Sequence, residues 1–257
     1  MSRTEAVLST AGDKLIGYFP AGFPTLPESI EAAVAMCESG IDVLEFGVPY
    51  SDPVMDGLVI QKATEESLAN GFKLNQLFAA VAEITSRVET PVLVMTYWNP
   101  VMQYGIEKFA KDLADSGAAG LITPDLIPDE ASEWLKISDE LGLDRVFLVA
   151  PSSTEARAAV ATELSRGFVY AVSTMGITGV REDLDGLARG VVAKVKKADS
   201  QKHVAVGIGI SSPEQAREVN EYSDGAIVGS VFVRAYQEGG KDALAAKVRE
   251  LVAGLNK

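Results

Sequence analysis

Residues 44–61 read LEFGVPYSDPVMDGLVIQ. Extended back to Ile41, the segment IDVLEFGV is apolar on both faces, the pattern of a strand covered on both sides of a parallel sheet. Gly47, Pro49 and Pro53 end that strand. A polar loop with Ser51, Asp52 and Asp56 then leads into a helical pattern near Gly57. Glu45 falls inside the strand. Loss of hydration there favours the protonated carboxyl and makes Glu45 a candidate acid. The alternative is a buried ion pair with an Arg or Lys of a neighbouring strand. Asp56 is a second carboxylate at the strand's carboxyl end, although Asp52 and Asp56 could equally cap the following helix.

The same strand–loop–helix unit recurs on either side. LIGYFPAG (15–22) reads as the first strand, preceded by a short helix over 2–11 whose apolar face is Ala6, Val7 and Ala11. PESIEAAVAMCESG follows as a helix, with Pro27 in its first turn and Gly40 as its stop. Further strands are expected at 91–100, 120–125, 145–151, 168–173, 203–210 and 225–232, with helical patterns between them and a terminal helix from Asp242. Gly117, Gly142 and Gly167 end successive helices 25 residues apart, the spacing of a repeated strand-plus-helix unit. Eight such units over residues 1–257 predict a (β/α)8 TIM barrel, an α/β fold in a single domain with a short N-terminal helix. A doubly wound open sheet is the competing topology. In a barrel the carboxyl ends of the strands meet at one mouth, bringing together Glu45, Asp56, Tyr97, Asn99, Asp125, Tyr170 and the late glycines. Tyr97, Trp98 and Tyr170 are expected within strands.

Composition narrows the functions. The chain carries 23 basic and 36 acidic residues, a formal charge of −13. Such a surface repels nucleic acid and anionic membranes, so neither is an expected partner. One cysteine, Cys37, forbids an intrachain disulfide and fits a reducing compartment. No apolar run resembles a signal peptide or a membrane span, and a cytoplasmic location is expected.

The late glycine-bearing segments are the second source of chemistry: MGITG (175–179), GIGIS (207–211), and Gly229–Ser230 before a short helix. Barrels commonly hold a phosphate on the loops after strands seven and eight, against the N-terminus of a short helix. Glycine lets backbone N–H groups approach an anion, and the helix dipole adds attraction without any lysine. The single histidine, His203, sits at a strand's start, hence at the opposite end of the barrel. A histidine triad or histidine metal site is therefore not expected, and the site is read as having no metal. No strand interior carries a lysine for Schiff-base chemistry.

The motif LEFGVPYSDPVMDG resembles the signature of the tryptophan synthase α subunit family. The likeness continues, in family order, through PAGFP (20–24), Asn99–Pro100, PDL (124–126), GITG (176–179), GIGIS (207–211) and GAIVGS (225–230). The resemblance implies cleavage of indole-3-glycerol phosphate to indole and glyceraldehyde 3-phosphate, with no cofactor in this subunit. It also implies a pyridoxal-phosphate-dependent β subunit as partner in an α2β2 tetramer. By the same resemblance Glu45, Asp56 and Tyr170 are catalytic or positioning residues. Thr178, Gly179, Gly209, Gly229 and Ser230 would hold the phosphate end, and Tyr18, Ile60, Tyr97 and Ile208 would line the indole pocket. Asp52, Pro53, Asp125 and Pro128 would meet the partner. One departure is that Thr174 and Met175 follow Ser173, where many members have arginine after the serine.

Two other functions fit parts of this reading. Another phosphate-binding barrel, such as a sugar-phosphate isomerase or epimerase, would use a metal or a different acid pair. A barrel whose main role is allosteric binding would not require intact Glu45 and Asp56.

Overall fold

The computed structural model describes residues 1–172, 181–207 and 209–257. Among these, nine parallel strands form one sheet: β1 (Leu15–Pro20), β2 (Val43–Gly47), β3 (Val92–Met95), β4 (Gly120–Ile122), β5 (Asp144–Val146), β6 (Leu148–Val149), β7 (Val169–Val172), β8 (Val204–Gly207) and β9 (Gly225–Val228). Their order is β5-β4-β3-β2-β1-β9-β8-β7-β6. The two outermost members, β5 and β6, are consecutive in the chain. They are the halves of the strand expected at 145–151, interrupted at Phe147, whose carbonyl accepts the N–H of Tyr170 at 3.0 Å. A sheet whose first and last strands are the same stretch of chain is closed on itself, so the architecture is a TIM barrel and not an open doubly wound sheet.

Two apolar layers explain why the strands read as apolar on both faces. Between sheet and helices lies the larger cluster, including Phe19, Leu44, Phe46, Val94, Phe109, Trp134 and Phe232. Inside the barrel, Ile16, Val43, Leu93, Ile122, Val146, Phe168, Ala205 and Ile227 form a second cluster, which Leu8 of the N-terminal helix Arg3–Leu8 also joins. Ser2 and Glu5 cap that helix reciprocally. Its buried residues are Thr4 and Leu8; the expected Val7 also packs against the inner cluster, while Ala11 lies beyond the helix, which ends at Leu8.

Several boundaries differ from the sequence reading. β3 stops at Met95. Tyr97 is the N-cap of a helix, Trp98–Tyr104, so Tyr97 and Trp98 are not strand residues. The reason is local: Pro100 has its preset φ in the first turn of that helix, where no backbone N–H is needed. The strand expected at 225–232 stops at Val228, and a helix spanning Ser230–Ala253 starts at once. Non-helical backbone at Gly239 and Gly240 divides it into the expected short helix after Gly229 and a terminal helix. Gly142, at φ 69°, closes the helix Ser132–Leu141 in the left-handed conformation that glycine adopts freely. Cys37 is buried, and burial pushes its thiol up to about 12, so it packs as a small apolar residue. His203 Nε2 lies 3.0 Å from Ser9 Oγ, tying the start of β8 to the N-terminal helix's end.

Candidate active site

Inward-facing residues are set by strand register. β1 and β2 pair Tyr18 with Glu45, and β6 and β7 pair Leu148 with Tyr170. These four lie one pleat repeat above the inner apolar cluster. They open into a cavity of about 480 Å3 at the carboxyl ends of the strands. That volume is in the range of small-molecule sites. Met95, Ile227 and Ile60 add apolar wall. Asp56, Met55 and Gly57 enter from the loop after β2, and Gly207, Gly209, Ser211, Gly229 and Ser230 from the ends of β8 and β9.

Two glycines make room for the aromatic walls. A Cβ on Gly47 would run into the phenol ring of Tyr18, and one on Gly207 would stand 2.7 Å from Tyr170 Oη. Each tyrosine therefore lies across the neighbouring strand's glycine with its hydroxyl in the upper barrel. Burial, and the negative charge of Glu45 and Asp56, hold both phenols far above the ordinary tyrosine range.

Glu45 is 1 % exposed, and its Oε1 has no hydrogen-bond partner among the described residues. Burial raises its carboxyl from 4.5 to about 8. The ion-pair alternative for Glu45 is thereby excluded among the described residues; the group is an uncompensated buried acid that remains protonated at neutral pH. Asp56 is only partly buried. Burial pushes it up to about 6, against a lowering contribution from the Tyr97 hydroxyl. It caps no helix: the following helix, Leu58–Ala69, has Gly57 at its N-cap without a side-chain bond. Gln61 Nε2 donates to the Asp56 carbonyl at 2.7 Å and anchors the loop to that helix. Near neutral pH the cavity thus holds one acid and one carboxylate, the separation of roles that acid–base catalysis needs.

Tyr97 stands behind the loop and not on the cavity wall. Its Oη accepts from Val54 N and Met55 N, each at 2.9 Å, and its ring lies 5.2 Å from that of Tyr50. Asp52 and Pro53 are on the outer part of the same loop. Asp125 Oδ1 accepts from Trp98 N at 2.8 Å, so Asp125 and Pro128 belong to the adjoining loop after β4, outside the cavity. Thr178, Gly179, Ile208, Thr174 and Met175 lie outside the described residues. Sequence reasoning missed Met55, Met95, Leu148, Ser211, Ile227 and Arg234 as cavity residues. Period-two counting inward from Glu45 along each paired strand would have reached Met95, Leu148 and Ile227, but only once the register was known.

An acid and a carboxylate facing one apolar cavity at the carboxyl mouth of a closed barrel define a (β/α)8-barrel enzyme of the general acid–base class. The family model of the tryptophan synthase alpha chain matches residues 5–256, and the chain belongs to that family. The tryptophan synthase alpha chain of Leifsonia xyli subsp. xyli is 62% identical over 244 residues, covering 95% of this chain and 93% of the relative. A crystal structure of Mycobacterium tuberculosis tryptophan synthase in its aminoacrylate-bound form superposes with a TM-score of 0.91 at 47% identity, covering 99% of both chains. The tryptophan synthase α2β2 complex of Pyrococcus furiosus gives 0.86 at 35% identity, over 95% of this chain and 100% of that one.

Proposed function

We propose that Glu45 and Asp56 carry out the lyase reaction of this family, cleavage of indole-3-glycerol phosphate to indole and glyceraldehyde 3-phosphate. The observation that carries this reading is the cavity lined by both Glu45, whose carboxyl burial raises to about 8, and Asp56, raised only to about 6. Glu45 gives its proton to C3 of the indole ring, which disrupts the ring's aromaticity and places positive charge on the N–H. The Asp56 carboxylate accepts that N–H and stabilises the charge. Glu45, now a carboxylate, takes the proton of the C3′ hydroxyl as the C3–C3′ bond breaks. The bond's electron pair returns to the ring, releasing indole, and the former alcohol leaves as the aldehyde. Proton and charge balance without any cofactor held by this chain.

Tyr18, Ile60, Met95, Leu148 and Ile227 supply a wall suited to a flat bicyclic ring, and Tyr170 fixes the ring's neighbour face. Gly209, Gly229 and Ser230 line the same cavity, with Gly229 close to Tyr18 and Ile60, and there a phosphate can take backbone N–H groups and a hydroxyl. A sugar-phosphate isomerase site is less well served, because the wall is apolar where a polyol would need hydrogen-bond partners.

The partner is the pyridoxal-phosphate-dependent β chain of tryptophan synthase, in an α2β2 assembly. The segments that follow the strands support that reading: Val54 is 69% exposed and Leu58 62%, with Met102 of the helix Trp98–Tyr104 and Ile127 of the loop after β4 also exposed. Large exposed apolar side chains gathered around one opening mark an interaction surface. Asp52, Pro53, Asp125 and Pro128 lie on the same loops. Among the described residues no helix is long and apolar enough to cross a membrane, which is compatible with a cytoplasmic biosynthetic enzyme.

The test is incubation with indole-3-glycerol phosphate, with and without the β chain, following indole release. Glu45→Gln is expected to lower kcat by about 10^2–10^4 while glyceraldehyde 3-phosphate still binds. Retention of most of the activity by that variant would remove Glu45 from the mechanism.

A further inference from the structure

Arg234 lines the cavity together with Ser230 and Val231 of the same helix. It is the sole cationic side chain among the described lining residues, which also include two carboxyls and two phenols. Ser230 and Arg234 are four residues apart, hence on one helix face, and helical side chains lean back towards the N-terminus. The guanidinium is thus carried towards the N-terminal N–H groups at Gly229–Ser230. A cation there meets the positive end of the helix dipole, an unfavourable arrangement unless an anion sits between them. Nothing on the protein supplies that anion: among the described residues no hydrogen bond or ion pair joins Arg234 to another side chain, in a chain of net charge −13.

We propose that Arg234 is a substrate-positioning residue that pairs with the phosphate dianion and makes the site selective for the phosphorylated substrate. The proposal rests on the lyase reading above and goes beyond it, because the phosphate contacts read from the sequence are backbone and hydroxyl groups alone. Backbone N–H groups offer an anion partial charges only. A guanidinium fork adds charge-assisted bonds that grow with the ligand's charge. Arg234 thereby adds binding energy at the phosphate end that is the same in the ground state and the transition state.

The test uses the full chain as Arg234→Gln and Arg234→Lys, with two independent readouts. Calorimetric titration with inorganic phosphate and with glycerol 3-phosphate measures the anion contact without catalysis, and indole serves as the uncharged control. For Arg234→Gln the expectation is about tenfold weaker binding of both phosphate probes and unchanged indole binding. KM for indole-3-glycerol phosphate rises by a similar factor, with kcat within about twofold of wild type, because the lost contact is the same in ground and transition states. Arg234→Lys is expected to recover part of the loss. Phosphate-probe affinities within about twofold of wild type in the Gln variant, or wild-type chain that binds neither probe, overturn the proposal. If the probes bind in an Arg234-dependent way but no indole is released by wild type, the anion contact stands and the lyase reading falls. Arg234 is exposed, so the variants are expected to fold, and unchanged thermal unfolding verifies it.

Discussion

Tyr97 Oη accepts the backbone N–H of Met55 at 2.9 Å, one residue before Asp56, and that of Val54 at the same distance. Two N–H groups of the loop after β2 thus converge on one hydroxyl that follows the next barrel strand. With both lone pairs engaged, the phenol proton is left to turn towards an acceptor, and the Asp56 carboxylate is the group that feels it.

Tyr97→Phe removes that acceptor and that donor together. Each unpaired N–H costs about 1 kcal/mol, so the loop loses definition and kcat/KM is expected to fall about tenfold. The Asp56 carboxyl should rise further, moving the acid limb of the pH profile to higher pH. Steady-state kinetics across pH check this, and an acid limb in the wild-type position would detach Tyr97 from Asp56.

The pH profile of kcat/KM should be bell-shaped. Activity rises as Asp56 ionises near about 6 and declines as Glu45 loses its proton near about 8. The two limbs belong to the pair as a whole, since the groups share one cavity. Asp56→Asn should flatten the acid limb, lower the maximum, and leave the alkaline limb in place. An alkaline limb that disappears in this variant would contradict the assignment of Glu45 as the acid.

Stability should depend on pH through Glu45. Its carboxyl is raised from 4.5 to about 8 by burial, so between those values the folded chain holds a proton that the unfolded chain has released. The stabilisation is complete below about 4.5, declines as pH rises, and is gone above about 8. The gap corresponds to up to roughly 5 kcal/mol. Urea unfolding of wild type and Glu45→Gln at pH 5 and pH 9 measures it. The variant should gain on wild type at pH 9, and parallel pH dependences would show that Glu45 is not an uncompensated buried acid.

Gly47→Ala tests the packing that sets the cavity wall. The added methyl meets the Tyr18 ring, which has no free space in the barrel interior and must turn into the cavity. The expected result is a loss of about 1–3 kcal/mol in stability and a raised KM for the indole substrate. Calorimetry and kinetics on the same preparation check both. The double variant Gly47→Ala with Tyr18→Phe should recover part of the loss, because the hydroxyl is among the atoms in collision.

Much of this molecule was legible before any coordinates. Helix-stopping glycines at a fixed interval and strands apolar on both faces determine the barrel and bring Glu45 and Asp56 to one cavity, because burial periodicity and turn chemistry are local properties of the chain. Tyr97 shows what locality cannot supply. Its place in an apolar run suggests a strand, and the family resemblance implies a pocket wall, whereas the first-turn Pro100 starts a helix and the phenol serves the loop after β2. Arg234 and Leu148 were likewise hidden, since neither stands in a distinctive motif; one reaches the cavity by leaning back along a helix and the other by strand register. Whether Glu45 is paired or alone was also undecided by sequence, because that depends on which side chains the closed sheet brings opposite it. Closure of the barrel brings a phenol and apolar side chains there, and no cation among the described residues, and it is this dry, uncompensated setting that raises an ordinary carboxyl to about 8.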